Sequence, residues 1–135
     1  MAAETSTRNQ ALNLERHLAE HLCDKALDLV AGGDPAAAAA KFREALALDP
    51  TLIEAMHGLV RALRDAGEYD QAIATARELL ARNPDDPLAH TSLSILYQHQ
   101  GMVPEAEAAA LQAKLAGWRI ELREARSAEQ APADA

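Results

Sequence analysis

"AGEYDQAIATARELLARNPDD", residues 66–86, holds a glycine, a tyrosine two residues later, an alanine-rich run and an Asn-Pro stop. Its apolar residues Ala72, Ile73, Ala76, Leu79 and Leu80 recur at helical spacing. Alanine stands where a core helix usually carries leucine. Small side chains at such places let a second helix come very close. The rest of the chain must show which helix, and how often.

The pattern recurs. Gly33, Gly67 and Gly101 are each 34 residues apart, and so are Ala38, Ala72 and Ala106. Leu29, Leu63 and Tyr97 keep the interval; Pro50 and Pro84 repeat it, as do Leu46 and Leu80, whose third member is Lys114. A period of this length marks a solenoid, whose units bury their faces against neighbours. An ordinary helical bundle has no need of the same columns at one fixed interval.

Each unit divides into two helices. In the middle unit the first is "TLIEAMHGLVRALRDAG", with Ala55, Met56, Leu59, Val60 and Leu63 on one stripe. Thr51 is expected to cap it, with Glu54 completing a capping box. Gly67 suits the left-handed conformation that ends a helix. The second helix is expected over about residues 69–81, closed by Asn83-Pro84. Asp34-Pro35 and Asp86-Pro87 each offer a cap followed by a proline in the first turn. A short turn makes the two helices antiparallel. Near that turn a residue larger than Ala72 would push them apart, at a cost of about 1–3 kcal/mol.

These columns resemble the tetratricopeptide repeat family, built from 34-residue helix-turn-helix units. In the middle unit Met56 stands at the first large position, where tryptophan is commoner. Leu59 fits the leucine column, Val60 replaces the usual glycine and Leu63 the usual tyrosine. Gly67, Tyr69 and Ala72 match; Ala76 stands where phenylalanine is common; Leu79, Leu80 and Pro84 fit the end. The first unit offers Leu22, Ala26, Leu29, Gly33, Ala38, Phe42, Ala45, Leu46 and Pro50, but has Lys25 in the leucine column and Pro35 in the tyrosine column. The third offers His90, Leu93, Ser94, Tyr97, Gly101 and Ala106, then loses the closing proline. The likeness runs from about Ala19 to Trp118. It implies an all-α fold: a right-handed α-solenoid of three such units with an extended C-terminal helix. The expected layout is a flexible N-terminus over 1–12 and a single domain over 13–125. Its units cover about 19–52, 53–86 and 87–118, with a capping helix segment to 125. A flexible C-terminus over 126–135 follows.

Composition agrees with helix: alanine, leucine and glutamate abound, while aromatics are 3 % of the chain, which excludes a core of bulky rings. The net charge of −8 argues against nucleic-acid binding, which needs a basic face, and gives no reason to expect an anionic membrane. Cys23 is the only cysteine, so no intrachain disulfide forms and it reads as a small buried hydrophobe. The first residues carry no apolar stretch of signal-peptide length, and no run of about 18 apolar residues occurs. A cytoplasmic location is the expectation.

Catalysis finds no motif. His17 and His21 lie four apart without a third ligand at clear spacing, and His57, His90 and His99 follow no ligand order. There is no glycine-rich phosphate loop and no nucleophile-elbow serine. No cofactor, no metal and no enzymatic activity are expected.

What remains is a surface. In the resembled family the first helices line a concave face that holds a peptide or a partner's helix. Here that face implies Cys23, Leu27 and Val30, then His57, Arg61 and Arg64, then Thr91, Ile95 and Gln98. Arginine forks recognise carboxylates, so a protein or peptide with acidic and apolar residues is the expected partner. The bland reading pairs Arg61 and Arg64 with Asp65 and Glu68. Some family members clamp a C-terminal carboxylate with lysine and asparagine; here Cys23 and Leu27 hold the first unit's two positions and Gly58 the next, so that clamp is missing. A self-associating scaffold or assembly subunit, with a homodimer, is the alternative function.

The repeat rule breaks at "AGWRIELREARSAEQ", residues 116–130. No proline ends the helix there, and Leu111, Leu115, Trp118 and Leu122 continue one stripe across Gly117. The helix is expected to reach about Ala125, with Trp118 and Leu122 as a cap over the last repeat or a dimer contact. Leu14 and Leu18 suggest that the first helix likewise starts early, near Asn13.

Overall fold

A computed structural model describes residues 2–131. Met1 and residues 132–135, which belong to the segments expected to be flexible, lie outside the described residues. The described chain is all helix and turn: α1 (Ala2–Ala31), α2 (Pro35–Leu48), α3 (Ile53–Asp65), α4 (Tyr69–Arg82), α5 (Pro87–His99) and α6 (Val103–Gln130). Helix begins at Ala2, inside the segment 1–12, and ends at Gln130, beyond Ala125.

The glycine column has one backbone cause. Gly33, Gly67 and Gly101 sit at φ +83°, +80° and +73°, where only glycine is unstrained. At Gly67 the amide donates to the carbonyl of Arg64 (3.0 Å), and the Glu68 amide reaches back to Leu63 (2.8 Å). The same pair of bonds closes α1, from Gly33 to Val30 and Asp34 to Leu29, and α5, from Gly101 to Gln98 and Met102 to Tyr97. This is the Schellman stop. Its long acceptors are Leu29, Leu63 and Tyr97, the other column of the sequence repeat.

The proline column is also a backbone device. Asp49 Oδ1 accepts from the Thr51 amide (3.0 Å), and Asn83 Oδ1 accepts from the Asp85 amide (3.2 Å). Each is an Asx turn around a proline, 34 residues from the other. Gly117 stands at the third such position. Without an Asx side chain or a following proline, α6 runs straight through it.

Caps follow the sequence except once. Asp34 accepts from the Ala37 amide (3.2 Å), and Asp86 accepts from Leu88 (3.1 Å) and Ala89 (3.2 Å). Thr51 does not cap α3. Leu52 takes the cap position with no side-chain bond, and the Thr51 hydroxyl donates instead to Asp49 Oδ1 at 2.6 Å. The Asx turn leaves Thr51 one residue ahead of the cap position, so the capping box with Glu54 does not form.

Two compact units emerge, Met1–Thr75 and Ala76–Ala135. In the first, α2 packs on both α1 and α3. Phe42 fills its centre, and burying such a ring contributes about 1.5–3 kcal/mol. In the second, α5 packs on α6 through Leu93, Leu96, Ala106 and Ala109, and buried Ser94 donates to the Ala106 carbonyl (2.8 Å). Ala38, Ala72 and Ala106 are all buried, as close helix approach requires.

Candidate partner-binding site

Glu20, Cys23, Asp24 and Leu27 share one face of α1, spaced three, one and three residues apart. Glu54 and Gly58 lie one turn apart on α3. Together with Leu52 and Phe42 they line a pocket of about 310 Å³ in the first unit. Its floor depends on Gly58. The Phe42 ring reaches from α2 to the α3 backbone, and a Cβ at position 58 would overlap the ring atoms. The missing side chain admits the ring and leaves apolar surface at the bottom of the pocket.

Carboxylates surround that floor. The Cys23 thiol is pushed up from its ordinary pKa by burial first, then by the charges of Asp24, Glu54 and Glu20. Three negative charges therefore converge on one buried sulfur. The thiol stays protonated and acts as a small hydrophobe rather than a nucleophile. Glu20 is partly neutralised by Arg16 (3.5 Å), and the His17 ring lies 3.7 Å from its other oxygen. Asp24 and Glu54 have no ion-pair partner among the described residues. The pocket thus offers an apolar seat with uncompensated hydrogen-bond acceptors at its edge.

The structure brings Cys23 and Leu27 together here, with Leu27 55 % exposed and Cys23 buried. Val30, His57, Arg61 and Arg64 belong to the same unit but do not line the pocket. Arg61 and Arg64 both lean on Asp65, at 4.0 Å and 3.4 Å. Thr91, Ile95 and Gln98 lie on α5 in the second unit, where the Thr91 hydroxyl donates to the Pro87 carbonyl (2.9 Å). Trp118 and Leu122 are 60 % and 53 % exposed, while α6 buries its other face through Ala106, Ala109 and Ala116. Among the described residues no group of three or more His, Cys, Asp or Glu could hold a metal ion, and no helix is long and apolar enough to cross a membrane.

Sequence reasoning passed over Glu20, Asp24 and Glu54. Glu54 reads from the sequence as part of a capping box. The available signal was their spacing from Cys23 and Leu27, which puts acids and apolar groups on one helical face.

The 34-residue Schellman stops and the recurring Asx-Pro turns agree with a sequence match. The tetratricopeptide repeat profile fits residues 29–96 and again 63–117. The chain belongs to the tetratricopeptide repeat family. The two matches start 34 residues apart, the interval of the glycine column. Membership makes the chain a protein-interaction module of helical repeats. Among solved structures it is similar to MamA, at 21 % identity and a TM-score of 0.71, over 76 % of this chain and 60 % of that one. It therefore spans less than two thirds of MamA. It is also similar to the type III secretion translocator chaperone SycD of Yersinia enterocolitica, solved as an alternative dimer. There the identity is 22 % and the TM-score 0.70, over 81 % of this chain and 83 % of that one. At such identities the likeness is one of fold. No curated protein matches the chain in sequence.

Proposed function

We propose that this tetratricopeptide repeat protein is a non-enzymatic adaptor whose first unit holds a partner's peptide or helix in the pocket between α1 and α3. One observation carries the reading: Cys23, Leu27, Phe42 and Leu52 form an apolar seat beside the unpaired carboxylates of Asp24 and Glu54. Such a seat suits a segment that presents an apolar side chain next to lysine or arginine. Arg61 and Arg64, the cations of the face expected to meet an acidic partner, share Asp65. The free charge at the pocket has the opposite sign. Charge-assisted bonds to Asp24 and Glu54 would orient the segment, and burial of its apolar side chain would supply most of the affinity.

The test compares two amphipathic peptide sets, leucine with lysine and leucine with glutamate, by calorimetry against the wild type and an Asp24→Lys, Glu54→Lys variant. The wild type binds the lysine set and the variant loses it. Binding of the glutamate set by the wild type, or equal affinity of both proteins for the lysine set, would reject the proposal.

A further inference from the structure

The outer face of α6 carries a second apolar stripe that packing among the described residues leaves largely exposed. Leu111, Trp118 and Leu122 are each more than half exposed, and Leu115 is half-buried. Ala108 and Ala125 extend the stripe at each end. The steps are three, four, three, four and three residues, the alternation of a coiled-coil seam. The buried residues Ala106, Ala109 and Ala116 lie on the opposite side of the helix. From Ala108 to Ala125 the stripe is about 25 Å long. An isolated helix with so short a seam would be marginal in water. Here the helix is already formed and packed against α5, so association would not bear the cost of ordering it.

The charges beside the stripe select its occupant. Set against an antiparallel copy of itself, Leu111 lies opposite Leu122 and Leu115 opposite Trp118. That register puts Lys114 beside the copy's Glu121 on one flank and Glu105 beside its Arg126 on the other. The symmetry repeats each pair, so four pairs of opposite sign flank one seam. All four residues are exposed and have no ion-pair partner among the described residues. Arg119 and Arg123 are already held by Asp85, at 2.7 Å and 3.3 Å. A parallel pairing would instead set Lys114 beside Arg119, a like charge, and keep opposite signs only between Glu121 and Arg126. The geometry points to a homodimer of this chain through an antiparallel contact of two α6 helices, with Trp118 at its centre.

The experiment uses the full chain in sedimentation equilibrium over a concentration series. The wild type is expected at twice the 14.5 kDa chain mass, dissociating on dilution. Trp118 is the only tryptophan, so its emission shifts to the red as the dimer dissociates. Trp118→Glu gives a monomer with unchanged helical circular dichroism. Lys114→Glu sets like charges opposite Glu121 and weakens the dimer about tenfold; adding Glu121→Lys restores it. A wild type that stays monomeric throughout overturns the proposal. So does a dimer that Trp118→Glu leaves intact, or one that Lys114→Glu leaves unchanged or tightens.

Discussion

The Phe42 ring occupies the space that a side chain at position 58 would need. Gly58 is helical, so its φ does not explain it; the ring does. Two effects oppose each other in Gly58→Ala. Alanine favours helix by about 1 kcal/mol over glycine. Against that, Phe42 is only 2 % exposed, so its ring has nowhere to retreat, and overpacking costs about 1–3 kcal/mol. Net destabilisation is expected in urea unfolding, and Phe42→Leu in the same chain should recover most of it. Strictly additive effects of the two substitutions would show that ring and glycine are not coupled.

Much of this fold was legible because its repeats are built from backbone devices. A positive φ at Gly67 and a proline after Asn83 leave direct marks in the residue types. The caps at Asp34 and Asp86 were legible for the same reason. The Thr51 cap was less legible because the Asx turn sets where α3 starts, and residue types alone do not show that the cap position falls on Leu52. The candidate site was less legible. Its pocket depends on a ring from α2 reaching α3, a contact between elements that no single helix pattern contains. Nothing in the sequence distinguishes Asp24 and Glu54 from the other solvent-facing acids. Cys23 lies on the anticipated face, yet it forms part of the buried floor.

Gly117 makes the opposite case to Gly58. A Cβ there meets nothing within 4 Å, and the helix continues on both sides. Gly117→Ala should therefore stabilise the protein by about 0.5–1 kcal/mol, through helix propensity and a less free unfolded chain. A thermal melt checks this as a rise in Tm. A fall in Tm would mean that α6 does not run straight through this residue.

Acid stability should depend on the Asx turn. The Thr51 hydroxyl, donating to Asp49, is the main cause that holds this carboxyl below its ordinary pKa; partial burial works against it. The folded value lies below the unfolded one, so the contribution is present above about pH 4 and is lost as pH falls through the folded value. Thr51→Val removes the donor. The gap in Tm between wild type and variant should be widest near neutral pH and close on acidification. A gap that stays constant into acid would place the stabilisation elsewhere.

The α1–α3 pocket of the first unit is proposed to hold an apolar and basic segment. Amide chemical-shift mapping tests it most directly, with the leucine–lysine peptide titrated into the labelled full chain. The largest shifts are expected at Cys23, Asp24, Leu27, Glu54 and Gly58, and they are absent in the Asp24→Lys, Glu54→Lys variant. Shifts centred on Arg61 and Arg64, or confined to α5 and α6, would contradict it.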